Sequence, residues 1–106
     1  MPAFFEPDDT RPTDPVAAVV GCIERGARGL LLDAGALPAA FFDLRTGVAG
    51  DVVQKLVNYG IRLAAVVPDL GAQPERFREF AREANEGRQF RFFATRGEAI
   101  DWLGTG

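Results

Sequence analysis

Two apolar runs in this chain fail to alternate with polar residues, and that failure sets the fold class. Gly29 to Asp33 carries Leu30, Leu31 and Leu32 in succession, and Ile61 to Val67 is interrupted only by Arg62. Successive side chains of a strand point to opposite faces, so an unbroken run predicts a strand buried front and back, as in a parallel sheet covered by helices. Between the runs, Val48, Ala49, Val52, Val53, Leu56 and Val57 recur at helical spacing while Asp51, Gln54, Lys55 and Asn58 take the other side. That pattern predicts an amphipathic crossover helix ending near Gly60. A second crossover opens at Pro74, buries Phe77, Phe80, Ala81 and Ala84 behind an Arg/Glu face, and closes at Gly87.

Gln89 to Ala94 reads as a third strand rich in phenylalanine, and Thr95 with Glu98 forms a capping box for a last helix bearing Ala99, Ile100, Trp102 and Leu103. Upstream, Asp14 is placed to cap a helix with Pro15 in its first turn and Val16, Val19, Val20 and Ile23 at helical spacing before Gly26. Residues 1–14 carry Pro2, Pro7 and Pro12 among four acids; proline's missing N–H keeps such a segment out of a central strand. The expectation is an extended arm over 1–14 and one α/β domain over 15–106. Its order is αβαβαβα, with at least three parallel strands joined by right-handed crossovers. If the strands lie in sequential order, both crossover helices cover one face. The other face must then be covered by the first helix, by the Phe4 and Phe5 arm, or by a second copy in a homodimer.

Composition narrows function more than fold. The 106 residues include 15 acids and 12 bases, a net charge of -3, so no basic excess favours nucleic acid or an anionic membrane. No apolar run approaches the roughly 20 residues that span a bilayer, and the N-terminus lacks the features of a signal peptide. One cysteine, Cys22, excludes an internal disulfide and fits a reducing compartment, so a cytoplasmic location is expected. Histidine and serine are both absent. The commonest general base, the commonest zinc ligand and the serine nucleophile are therefore missing, and no catalytic role or cofactor is expected.

The remaining polar groups offer weaker chemistry. Asp33, Asp43 and Asp69 fall at or after predicted strand ends, where α/β sheets place ligands, and could gather a cation or could simply cap turns. Phe41 and Phe42 could line a small-molecule pocket with Tyr59 or could be core. Gly47-Val48-Ala49-Gly50 lacks the lysine and spacing of a phosphate loop, which leaves close helix packing as the reason for its glycines. Thr46 is placed to cap the first crossover helix, where free amides and the helix dipole would also receive a phosphate beside Arg45.

The stretch Phe41-Phe42-Asp43-Leu44-Arg45-Thr46-Gly47-Val48-Ala49-Gly50, followed by Gln54-Lys55-Leu56-Val57-Asn58-Tyr59, Ile61-Arg62-Leu63-Ala64 and Phe80 to Gly87, resembles a family of small bacterial proteins known as domain of unknown function 4180. The resemblance runs from Gly29 to Leu103, with Ala84 where the family tends to have serine. Members usually begin with a pair of strands that Met1 to Asp14 does not visibly supply. More distantly, Leu31-Leu32-Asp33 leading to Asp43-Leu44-Arg45-Thr46-Gly47-Val48 is similar to the STAS module of sulfate transporters and anti-sigma-factor antagonists. There, serine or threonine phosphorylation at the corresponding turn controls partner binding. The resemblance implies a small STAS-like α/β domain that acts as a non-catalytic regulatory interaction module. The docking surface is then expected at Asp43, Arg45, Thr46 and Gly47 with Gln54, Lys55, Asn58 and Tyr59. The alternatives are a small-molecule or nucleotide-binding domain and a structural homodimer.

Overall fold

The computed structural model describes residues 4–6 and 14–104. Its elements alternate along the chain: β1 (Phe4–Phe5), α1 (Pro15–Glu24), β2 (Gly29–Asp33), α2 (Val48–Tyr59), β3 (Arg62–Val66), α3 (Glu75–Glu86), β4 (Phe90–Phe93) and α4 (Arg96–Gly104). The sheet has four strands in the order β1-β2-β3-β4, every neighbouring pair parallel. Leu30 stands opposite Leu63, and Leu63 opposite Phe90, so the apolar runs line up across the sheet. The α/β class, the parallel strands and both crossover helices agree with the sequence pattern.

Strand alternation divides the side chains between two unequal layers. Leu30, Leu32, Leu63, Ala65, Phe90 and Phe92 face α1, α2 and α3 and pack with Val19, Cys22, Val52, Leu56, Phe77 and Ala81. Leu31, Ala64 and Val66 face the opposite way and are covered by Ala99 and Leu103 of α4, with Phe4, Phe93 and Trp102 at the margin. Sequential strand order with every crossover on one face is the outcome of repeated right-handed connections. It leaves the second face to the single helix that follows the last strand.

Two expectations are corrected here. Phe4 and Phe5 form a strand rather than part of an extended arm, pairing in parallel with Gly29 and Leu30. Prolines 2 and 7 bracket the segment, and an edge position tolerates so short a strand. Helix α1 therefore becomes a third crossover and packs beside α2, and α4, which was not among the anticipated covers, closes most of the second face, with Phe4 of the anticipated arm packed at its margin. Glu6 follows the strand and Asp14 precedes α1, and residues 1–3 and 7–13 of the anticipated arm lie outside the described residues.

The predicted caps are largely made. The Asp14 carboxylate accepts the Val16 N–H at 3.0 Å, and Thr95 Oγ1 accepts the Glu98 N–H at 3.3 Å. Gly60 ends α2 in the left-handed conformation at φ 65°, a position that suits glycine.

Candidate functional site

The chain takes fourteen residues to pass from β2 to α2, and it does so at the carboxyl end of the sheet through three short 3-10 turns. Asp33 starts the first, accepting the Gly35 N–H at 3.1 Å. The second, Ala39–Phe42, drives Phe41 fully into the core, where its ring meets Phe42, Phe77, Phe90 and Phe92 at centroid distances of 5.4 to 6.5 Å. Asp43 starts the third turn by accepting the Arg45 N–H at 3.1 Å. The same carboxylate takes Arg45 Nε and Nη2, each at 3.0 Å. These bonds, side chain first, hold the Asp43 carboxyl below the ordinary aspartate range and raise the Arg45 guanidinium. With side-chain exposures of 84% for Arg45 and 41% for Asp43, the pair is a solvated clamp.

Thr46 has a different role from the expected cap. The helix N-cap position belongs to Gly47, at φ 81° in the left-handed region, while Thr46 ends the preceding turn. The Thr46 hydroxyl lies 2.6 Å from the Ala40 carbonyl and 2.8 Å from that of Asp43, and accepts the Val48 N–H at 3.3 Å. It ties the second and third turns to the start of α2. Close packing does not account for the nearby glycines either: a Cβ at Gly47 or Gly50 would meet nothing within 4 Å. Gly47 is required by its backbone angle alone.

Across from this segment, Pro74 starts α3 without a side-chain cap. Residues 42–45 and 74–77 enclose an open groove of about 680 Å³. Phe42 and Leu44 are half-buried in its wall, Phe77 is buried, and Asp43, Arg45, Glu75 and Arg76 ring the mouth. None of the described residues is a buried polar or charged one.

The remaining residues of the expected surface lie elsewhere. Helix α2 has twelve residues and runs the depth of the sheet, roughly 18 Å at 1.5 Å per residue. Gln54 and Asn58 lie on its outer side, joined by a 3.0 Å bond from Gln54 Nε2 to Asn58 Oδ1, and Lys55 is half-buried. Tyr59, 53% exposed, lines a shallow cleft with Ile23, Arg28 and Ile61 at the amino end of the strands. The structure thus brings Asp43, Arg45, Thr46 and Gly47 together and places Asn58 and Tyr59 at the opposite end of the molecule. Phe42 lines the groove, Phe41 is buried in the core, and Tyr59 lines the cleft at the other end.

Asp33 and Asp43 each cap their own turn, and no group of three or more His, Cys, Asp or Glu is placed to hold a metal among the described residues. Cys22 is fully buried, its thiol 3.3 Å from the carbonyls of Ala27 and Gly29, and burial pushes its pKa up. Both features describe a packing residue rather than a nucleophile.

Several polar residues passed over in the sequence tie distant elements together. Asn85 Oδ1 accepts the Phe92 N–H at 2.7 Å, satisfying a donor of strand β4. Gln89 Nε2 donates to the Leu56 carbonyl at 2.7 Å, closing the last turn of α2. Arg62 donates to the carbonyls of Arg88 and Trp102 at 3.3 and 3.0 Å, with its guanidinium 4.1 Å from the Trp102 ring centroid. The visible signal was Arg62 itself, a charge interrupting an otherwise apolar strand.

Searches of curated proteins and of solved structures returned no match. A family match does cover residues 10–103, which takes in β2, β3, β4 and the four helices short of the last residue of α4. The chain belongs to the family described as Domain of unknown function (DUF4180).

Proposed function

We propose that this chain is a non-catalytic interaction domain that receives a segment of a partner protein in the groove between residues 42–45 and 74–77. The observation that carries the reading is the composition of that groove: apolar walls from Phe42, Leu44 and Phe77 and a charged rim from Asp43, Arg45, Glu75 and Arg76. An apolar centre with a polar rim is the anatomy of a protein interface. A small-molecule site would need a few convergent polar groups to fix orientation, and the described core offers none. The carboxyl ends of parallel strands are also where loops carry recognition without burdening the sheet.

The similarity to the STAS module adds a regulatory reading. A phosphate on Thr46 would replace its hydroxyl bonds to the Ala40 and Asp43 carbonyls and add about -1.5 to -2 charges beside the groove, reshaping the rim. A bacterial cytoplasmic setting, without nucleic acid or membrane as partner, fits the acidic balance and the reduced, buried Cys22.

The test is quantitative affinity capture with wild type, Leu44→Asp, Arg76→Glu and Gln54→Ala, each checked for a native circular dichroism spectrum. Partners of the groove disappear with the first two variants and persist with Gln54→Ala. The same captured set for all four proteins removes this reading. A thermal-shift panel of metabolites and nucleotides addresses the alternative, since a ligand at 100 times its dissociation constant stabilises by about 2.7 kcal/mol.

A second reading, self-association, is favoured by α1. Its outward residues Ala17, Val20 and Ile23 are apolar and exposed, with Val20 at 42% and Ile23 at 37%, and Glu24 is its one charge. A helix apolar on nearly all sides ordinarily has neighbours on all sides. Sedimentation equilibrium of wild type and Val20→Asp decides it: a dimer that becomes a monomer in the variant supports the reading, and a wild-type monomer ends it.

A further inference from the structure

At the amino end of the sheet two arginines share one aromatic ring, and neither forms an ion pair among the described residues. Arg62 and Arg91 both lie on the α4 side of the sheet, on adjacent strands, and their guanidinium carbons stand 4.1 and 5.5 Å from the centroid of Trp102. Arg62 uses Nε and Nη2 on the carbonyls of Arg88 and Trp102, and Arg91 uses Nε on the Gly87 carbonyl at 2.7 Å. Each guanidinium carries five N–H donors, so both retain unused ones. Among the described residues the ion pairs are Asp43–Arg45 and Glu6–Arg96, and neither Arg62 nor Arg91 belongs to one.

This arrangement runs against the charge balance of the chain. Acids outnumber bases, yet these two cations are fixed beside each other by carbonyls and an indole face instead of by carboxylates. Partial burial lowers the Arg62 guanidinium from its ordinary value, and the neighbouring charge of Arg91 adds to the lowering. The role of Arg62 in closing the end of α4 explains one of the two cations. It does not explain why a second is brought to the same ring.

We propose that Arg62 and Arg91, splinted by Trp102, form an oxyanion-binding site that takes a phosphate group. A planar guanidinium presents paired donors that match the oxygens of such a group, and an indole face holds it in place without competing for its hydrogen bonds. Two adjacent cations select a dianion over a monoanion, so phosphate is preferred to a simple carboxylate. The site is at the opposite end of the sheet from the groove and does not depend on the function proposed for that groove.

Trp102 is the chain's one tryptophan, so the emission comes from the ring on which both arginines lie. Inorganic phosphate and acetate are titrated separately into the intact protein at constant ionic strength held with sodium chloride. The expected result is a saturable change in Trp102 emission with phosphate, half-complete at a concentration at least about tenfold lower than with acetate. Arg91→Gln raises the phosphate midpoint about tenfold or abolishes the change, and Arg91→Lys, which keeps the charge and loses the fork, falls between. Circular dichroism establishes that both variants are folded; Arg91 is preferred to Arg62 because its side-chain hydrogen bond goes to the Gly87 carbonyl, whereas that of Arg62 reaches the Trp102 carbonyl of α4. An emission change that tracks ionic strength alone, or that is the same in wild type and Arg91→Gln, overturns the proposal.

Discussion

The two ends of the sheet are held in different ways. At the amino end the ties reach across the chain: Gln89 to Leu56 spans 33 residues and Arg62 to Trp102 spans 40. At the carboxyl end the side-chain bonds of the β2–α2 segment stay local, with Asp33, Asp43 and Thr46 bonding groups two to six residues away. The long-range ion pair there, Glu6 with Arg96, joins the edge strand to α4 and leaves the groove segment untouched. Long-range bonds fix how elements sit on one another, whereas local bonds fix only the shape of a loop. The amino end therefore braces the fold, and the carboxyl end can vary its surface at small cost, the division of labour common to α/β sheets.

Phe41 is the point at which this contrast is most exposed to failure. It is the buried anchor of an otherwise local segment, touching four other rings in the core. Phe41→Ala is expected to cost about 3–5 kcal/mol in urea unfolding, the usual range for removing a buried phenylalanine. A cost below about 1 kcal/mol would mean that the groove segment is not fastened to the core at all, and the groove would lose its wall. Arg62→Met comes next. It retains an unbranched apolar stem over Trp102 but leaves the Trp102 and Arg88 carbonyls without their donor, with an expected cost of about 1–3 kcal/mol. If that variant unfolds at the wild-type urea concentration, the amino end does not brace the fold.

Asn85→Ala tests the same end at smaller scale. It strips the Phe92 N–H of its acceptor on edge strand β4, with an expected loss of about 1 kcal/mol by the same denaturant measurement. An exposed donor on an edge strand also invites strand addition, so light scattering on storage should rise relative to wild type.

What could be read in the sequence follows the same division. Periodicity located α1, α2, α3, α4 and the three longer strands, because burial on one stripe or on both faces leaves a pattern over many residues. Phe4–Phe5 escaped that reading: two residues between prolines carry no period, and only pairing with Gly29 and Leu30 makes them a strand. The choice of cover for the second face was also hidden, since the burial pattern of β2 and β3 demands a cover without saying which helix supplies it. For the candidate site, the sequence places Asp43 to Gly47 side by side, as turn chemistry is local, but it assigns Thr46 to the helix rather than to the turn before it. It also merged that segment with Asn58 and Tyr59, because neighbours along an amphipathic helix look adjacent in sequence while the helix carries them to opposite ends. The arginine pair at Trp102 was out of reach, since residues 62, 91 and 102 meet only through the strand register and the return of α4.

The smallest effect sharpens the contrast from the carboxyl side. Arg45 holds the Asp43 carboxyl below the value it has in an unfolded chain, so the pair contributes stability that is present above the unfolded aspartate pKa and is lost as pH falls through the lower folded value. Both side chains are solvated, and screening leaves little of that contribution in salt. Asp43→Asn is therefore expected to leave the neutral-pH melting temperature within error of wild type and to remove only a slight acid-side decline that is visible at low ionic strength. Paired melts from neutral to acidic pH, with and without added salt, check this. If Asp43→Asn instead lowers stability at neutral pH as far as Arg62→Met does, the clamp is structural, and the carboxyl end is braced as firmly as the amino end.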